Sequence, residues 1–260
     1  MSMPGEFTGK VAVISGGSRG IGRAIAEALA REGAQTVLLA ASADNLAAAA
    51  GRIAKAGGLA PFTIAGDLRK LEACEDAARQ VRERFKRCDI LVNSAGATKS
   101  GAFAELPDEL WLDGFALKYF ACVRLCRAFW PMLKETRGRV VNIDGGAART
   151  PDPLFMIGGS VNAAMANFSK ALAGLGRRDG VNVNVIHPGS TETDRATQLF
   201  AQRAAASGRT VAEVRAQALK EGMGQPEDVA ELAVFLCSAR AKHIQGTAIA
   251  VDGGATPGLY

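Results

Sequence analysis

The sequence predicts an α/β fold: a doubly wound parallel sheet of about seven strands with helices on both faces. Three observations predict it. Short runs of consecutive apolar residues, typical of strands covered on both faces, recur along the chain. Segments with apolar residues at helical spacing separate them. A glycine-rich turn joins the first run to the first helical segment, and strict alternation of this kind closes through right-handed crossovers.

Taken in order, Lys10 to Ser15 is a strand carrying Val11, Ala12, Val13 and Ile14 in a row. Gly16 to Gly22 turns into a helix with Ile21, Ile25 and Leu29 on one face, and Gly33 closes it. Thr36 to Leu39 is a strand. Ser42 and Asp44 suit the start of a helix over about Asn45 to Lys55. Phe62 to Ala65 is a strand, Leu71 to Phe85 a helix and Ile90 to Val92 a strand. One long helix is expected from Asp108 to about Leu133, then a strand over Arg139 to Ile143. A helix over about Gly159 to Leu175, a strand over Val181 to Ile186, a helix over Asp228 to Leu236 and a strand over Ala248 to Val251 complete the pattern. Nothing divides residues 1–260 into two units. An insertion at about 190–223 has little apolar periodicity; it is a substrate lid, because loops beyond strand ends line the crevice of such sheets, or a surface excursion.

Composition narrows the function classes. The chain has 260 residues, 48% hydrophobic and 22% charged, as in an ordinary globular protein. The five cysteines are odd in number and form no C-x-x-C pair, so reduced thiols in a cytoplasmic protein are expected. Cys122 and Cys126 would share a helix face. With only His187 and His243 available, no metal site is expected. Met1 to Thr8 lacks a signal-peptide pattern, and no apolar stretch reaches the ~18 residues of a membrane span. The net charge of +5 is spread over helices without interleaved aromatics, so no nucleic-acid partner is expected.

Glycines at Gly16, Gly17, Gly20 and Gly22, directly after a strand and opening a helix, allow a tight turn and close approach to a pyrophosphate at the helix N-terminus. This is the dinucleotide-binding arrangement of Rossmann-type sheets. Ser15-Gly16-Gly17-Ser18-Arg19-Gly20-Ile21-Gly22 resembles the T-G-x-x-x-G-I-G signature of short-chain dehydrogenases/reductases, with Ser in place of the leading Thr. Other segments resemble the family in the same order. Asn93-Ser94-Ala95-Gly96 is similar to its N-N-A-G, and Asp67-Leu68 to the aspartate that meets the adenine. Pro188-Gly189-Ser190-Thr191-Glu192-Thr193 is similar to the P-G-x-x-x-T that holds the nicotinamide carboxamide. Gly224-Gln225-Pro226 and Asp252-Gly253-Gly254 are similar to its C-terminal landmarks. The resemblance spans about residues 7 to 256. It implies that Gly16, Ser18, Arg19, Gly20, Ile21, Gly22, Ala40, Ser42, Asp67, Leu68, Asn93, Ala95, Gly96, Pro188, Gly189, Thr191 and Thr193 hold the cofactor.

Where an acidic residue would bond the NAD ribose, the chain carries Ala40 and Ala41. No carboxylate repels a 2′-phosphate there, and Arg19 and Ser42 are available to bind one. NADP is therefore expected, with NAD as the alternative; Arg19 can equally be a solvated loop residue.

The resemblance also implies a Ser, a Tyr thirteen residues later, a Lys four beyond it, and an Asn on the preceding long helix. Aligning Val140-Val141-Asn142-Ile143 and the helix from Ala163 puts Gly145, Gly158 and Asn162 at the first three positions; Trp111 and Pro131 put Lys118 at the fourth. Tyr119 and Tyr260 are the only tyrosines, and neither precedes a Lys at the required distance. Lys118, Asp144 and Asn162 are the candidate replacements, with Lys118 expected to reach the cleft or to pair with Asp144. His187 is either catalytic or a satisfied strand residue.

These readings imply an NAD(P)-dependent oxidoreductase acting between cofactor and a small carbonyl or alcohol with an unusual proton donor. The alternatives are a non-catalytic dinucleotide-binding protein, or a lyase or isomerase using Lys118. The resemblance implies a homotetramer or dimer built on the two long helices.

Overall fold

The computed structural model describes residues 5–257. Residues 1–4 of the N-terminal stretch and Tyr260 lie outside the described residues. Seven parallel strands form one sheet: β1 (Val11–Ser15), β2 (Gln35–Ala40), β3 (Phe62–Ala65), β4 (Ile90–Asn93), β5 (Arg139–Ile143), β6 (Asn182–Pro188) and β7 (Ala248–Val251). Their spatial order is β3-β2-β1-β4-β5-β6-β7. The direction of winding reverses between β1 and β4, which opens a crevice beyond their carboxyl ends.

Strand periodicity divides the core. On β1, Ala12 and Ile14 join one apolar layer and Val11 and Val13 the other. The first layer packs against α1 (Gly20–Arg31), α2 (Ala43–Lys55) and α9 (Pro226–Cys237), through residues such as Ile25, Leu46 and Ala233. The second packs against α3 (Leu71–Phe85), α5 (Ala121–Thr136) and α6 (Met156–Asp179), through Val81, Leu125 and Met165. All five cysteines are buried free thiols, and Cys122 and Cys126 face this second layer. A buried polar chain ties the two central strands to α6. Asn93 Nδ2 donates to Asn142 Oδ1 (2.8 Å), Asn142 Nδ2 to Ser169 Oγ (2.7 Å), and Ser169 Oγ to the Met165 carbonyl (2.6 Å).

Two expected segments carry detail the sequence did not show. The long helix runs unbroken over 108–136, but a wide π turn at Phe115–Phe120 lies between α4 (Asp108–Gly114) and α5. Such turns insert an extra residue, and they occur often at functional sites. Here the turn directs Leu117 and Lys118 into the crevice, while Tyr119 packs edge-on against Phe115, Phe120 and Phe168.

The 190–223 insertion folds into two regular helices, α7 (Asp194–Ser207) and α8 (Val211–Lys220). They bury Ala196, Phe200, Ala204, Val214 and Ala218 against each other. Alanines carry most of that face, which is why the pattern reads weakly as apolar. The Thr210/Glu213 capping box that starts α8 is a signal the sequence did offer. Main-chain bonds fasten both ends of the insertion: Gly224 N to Ser190 O (2.9 Å) and Glu192 N to Gly224 O (2.9 Å).

Candidate active site

The crevice is a cleft of about 880 Å³, within the range of small-molecule and cofactor sites. It runs from Ala40, Ala41 and Ser42 past the glycine turn to Lys118, Asp144 and α7.

Steric demand fixes the turn. Gly16 has φ +69°, and a Cβ there would lie 2.9 Å from the Ala95 nitrogen. A Cβ at Gly22 would lie 2.4 Å from the Gly16 carbonyl oxygen. Ser15 Oγ accepts from the Ser94 and Ala95 amides (both 3.2 Å), so a hydroxyl at this position is enough to lash β1 to the end of β4. Arg19, at the N-cap of α1, makes no side-chain cap. Among the described residues the amides of Gly20, Ile21 and Gly22 therefore have no hydrogen-bond partner. Three free N–H groups at a positive helix end facing a cleft form an anion cradle.

Most residues singled out by the sequence meet in this cleft. Gly16, Ser18, Arg19, Gly20, Ile21, Gly22, Ala40, Ser42, Asp67, Leu68, Ala95, Gly96, Pro188, Gly189, Thr191 and Thr193 line it, as do Lys118, Asp144, Gly145 and Asn162. Two of them have local duties as well. Ser42 Oγ accepts from Asn45 N (3.2 Å) to cap α2, and Thr193 Oγ1 accepts from Ala196 N (3.1 Å) to cap α7. Asp67 is engaged by Arg69, whose main-chain N and Nη1 both lie 3.1 Å from Oδ1; Arg69 Nε also donates to Asp113 (2.5 Å).

Two residues lie away from the cleft, and His187 takes one of its two expected roles. Asn93 does not face the cleft: it is buried between β4 and β5, bonded to Asn142 and close to Cys126 Sγ. His187 is a satisfied strand residue, buried on β6 with Nδ1 bonded to Asp144 Oδ1. Gly158 is covered, because the Phe155 ring fills the space in front of it; a Cβ at Gly158 would lie 2.0 Å from Phe155 Cζ.

Around Lys118 the contacts are short and specific. Its stem lies on Gly96, where a Cβ would come within 2.8 Å of Lys118 Cδ. Its Nζ donates to Asn162 Oδ1 (2.6 Å) and to the Asp144 main-chain carbonyl (2.7 Å). The expected pairing with the Asp144 carboxylate does not form, because that carboxylate turns to His187 and to the Gly145 amide (2.5 Å). The other oxygen, Asp144 Oδ2, is buried without a partner. Burial lowers the Lys118 pKa to about 8; the Asp144 charge opposes this and the Arg195 charge adds to it. Burial also holds the Asp144 carboxyl above its ordinary range, against the His187 hydrogen bond. A Cβ at Gly145 would lie 2.7 Å from Asn162 Nδ2, so this glycine leaves room for the asparagine that orients Lys118.

The sequence reading missed three cleft residues on and beside the insertion: Arg195, Phe155 and Arg203. Arg203 Nη2 donates to Asp152 Oδ2 (2.7 Å), and Gln202 Oε1 accepts from Ser100 N (3.0 Å), docking α7 on the loops after β5 and β4. Thr-Asp-Arg at a helix start was the only available signal for Arg195.

The family model described as enoyl-(acyl carrier protein) reductase matches residues 16–256. The chain belongs to the short-chain dehydrogenase/reductase family. Its relatives include reductases and a dehydrogenase, and the chain is an NAD(P)-dependent oxidoreductase of this family. This short-chain dehydrogenase/reductase is 34% identical to the 3-oxoacyl-(acyl-carrier-protein) reductase FabG of Escherichia coli K12 over 255 residues, covering 96% of this chain and 98% of the relative. L-sorbose reductase from Gluconobacter frateurii, solved with NADPH and L-sorbose, superposes with a TM-score of 0.90 at 34% identity, covering 99% of this chain and 100% of the other. An actinorhodin polyketide ketoreductase variant solved with NADPH gives 0.92 at 27% identity, covering 97% and 100%.

Proposed function

We propose that this chain is an NADP(H)-dependent reductase of small carbonyl compounds, reversible towards the alcohol, in which Lys118 takes the place of the family's tyrosine as proton carrier. NAD(H) is the alternative cofactor. The unbonded amides of Gly20, Ile21 and Gly22 fit a diphosphate, and Ala40, Ala41 and Ser42 offer a 2′-phosphate no opposing carboxylate. Ser18, Arg19, Asp67, Leu68, Ala95, Gly96, Pro188, Gly189, Thr191 and Thr193 line the remainder of that cofactor path. FabG and the sorbose reductase, both reductases by name, support the direction. When bound, the nicotinamide supplies or takes the hydride.

The observation that carries the reading is Lys118 Nζ, held 2.6 Å from Asn162 Oδ1 and 2.7 Å from the Asp144 carbonyl inside the cleft. An ammonium with a pKa of about 8 gives up a proton near neutral pH far more readily than an ordinary lysine. Two acceptors fix its direction. Gly145 and Gly158 supply no hydroxyl, and the Phe155 ring excludes water from the Gly158 side. Asp144, bonded to His187, braces the turn that presents its carbonyl to Lys118. On this reading α7 and α8 form a substrate lid on a single dinucleotide-binding unit.

The same reading places the chain in the cytoplasm as a homotetramer or dimer built on α4–α5 and α6, where Leu112 and Phe120 are exposed. The test is a screen of carbonyl compounds with NADPH and NADH, run on the wild type and Lys118→Met. Turnover lost in Lys118→Met with cofactor binding retained supports the assignment. Cofactor binding with no turnover on any carbonyl rejects it in favour of a non-catalytic role.

A further inference from the structure

The cleft contains more positive charge than it pairs. Of its carboxylates, Asp67 is bonded by Arg69, Asp144 by His187, Asp152 by Arg203, and Asp252 by the amides of Gly254 and Thr256. Asp194 neighbours Arg195 in the first turn of α7 and leaves its Nη2 unbonded. Of its cations, Arg69 and Arg203 have carboxylate partners and Lys118 has two oxygen acceptors. Arg19 and Arg195 have no carboxylate partner among the described residues. Arg195 Nη2 is buried with nothing to bond. A buried guanidinium N–H without an acceptor is costly, more so than a neutral one.

Arg195 is placed to serve both ends of the cleft. Thr193, two residues earlier, lies against the glycine turn; a Cβ at Gly20 would lie 3.4 Å from Thr193 Cγ2. The first turn of α7 thus stands over the free amides of α1. Arg195 is near enough to Arg19 and to Lys118 for these charges to repel: burial first and then Arg19 disfavour the Arg195 charge, and Arg195 disfavours that of Lys118. An anionic group among the three would relieve that repulsion and give Nη2 its acceptor.

We propose that Arg195 is an oxyanion anchor carried by the insertion, which pins α7 over the cleft by binding either the diphosphate of the cofactor or a carboxylate on the carbonyl substrate. The proposal rests on the reading above for its ligands, but the anion site itself does not need it.

Three measurements on the full chain compare wild type, Arg195→Met and Arg195→Lys. Calorimetry with inorganic pyrophosphate tests the anion site without nicotinamide. NADPH titration by fluorescence tests the cofactor source. Relative kcat/KM for 3-oxobutanoate and its methyl ester tests the substrate source. If the diphosphate is the ligand, Arg195→Met weakens both pyrophosphate and NADPH about tenfold or more, with partial recovery in Arg195→Lys. If the substrate carboxylate is the ligand, NADPH binding is retained and the preference for acid over ester falls about tenfold in Arg195→Met. The proposal is overturned if pyrophosphate affinity, NADPH affinity and the acid-to-ester ratio all stay within about twofold of wild type. Wild type that binds pyrophosphate through Arg195 but neither NADPH nor NADH would keep the anion site and end the reductase reading.

Discussion

At Lys118, burial and hydrogen bonding act on one nitrogen in opposite ways. Desolvation favours the neutral amine, while Asn162 Oδ1 and the Asp144 carbonyl favour the ammonium. Carbonyl reduction needs the proton in place, so kcat/KM for reduction should hold below about pH 8 and fall above it, and alcohol oxidation should show the reverse. Lys118→Met should lower kcat by about 10²–10⁴ with cofactor affinity retained. The same shift has a stability signature. Between about pH 8 and 10.5 the unfolded chain holds more protons than the folded one, so folding stability at this site rises with pH across that window. Urea titrations at pH 7.5 and 10 should show that rise in wild type and lose it in Lys118→Met. Replacing Asp144 by Ala strands the buried His187 ring and the Gly145 amide; the loss should be about 1–3 kcal/mol by urea denaturation. Gly158→Tyr forces its Cβ into the Phe155 ring and should cost about 1–3 kcal/mol without adding activity. Gly158→Tyr combined with Phe155→Ala should be more stable than the sum of the singles, as a double-mutant cycle will register.

At the scale of elements, the seven strands were the most legible part of the sequence. Phe62–Ala65, Arg139–Ile143 and Ala248–Val251 coincide with the expected strands; in the central β5, burial on both faces leaves little choice of side chain, and in the part-exposed edge strands β3 and β7 the short apolar runs still mark the element. The π turn was invisible. Phe115–Phe120 has ordinary helical composition, and only the packing of Tyr119 among three phenylalanines shows where the extra residue goes. The core of the insertion was hard to see for a different reason: small residues pack closely without a strong apolar signal. At the site, glycine spacing marked the cradle, whereas Phe155 fills space, Arg203 pairs with the distant Asp152 and Arg195 is left unpaired, properties that exist only in three dimensions. The Arg203–Asp152 pair is about one-third exposed on each side and should add no more than about 1 kcal/mol to stability. Its effect should show in function. Arg203→Ala should leave the urea midpoint nearly unchanged while raising KM and the rate of proteolytic cleavage within 190–223.

Across the whole molecule, the cleft joins three separately anchored parts: the glycine turn on β1, the carboxyl ends of β4 and β5, and the insertion hung between β6 and α9. A dinucleotide spanning them would stabilise the folded state by mass action, about 2.7 kcal/mol at a hundredfold excess over Kd. For a chain of this size that is a Tm increase of roughly 5–11 °C. NADPH should give the larger increase and NADH the smaller. Ala41→Asp should reverse the order, since a carboxylate beside a 2′-phosphate costs several kcal/mol.

The ring at position 155 carries an implication for redesign. A side chain at 158 would meet the far edge of the Phe155 ring, so it needs that ring to turn aside or shrink. Bringing a phenol to 158 in this cleft therefore means choosing residues 155 and 158 as a pair.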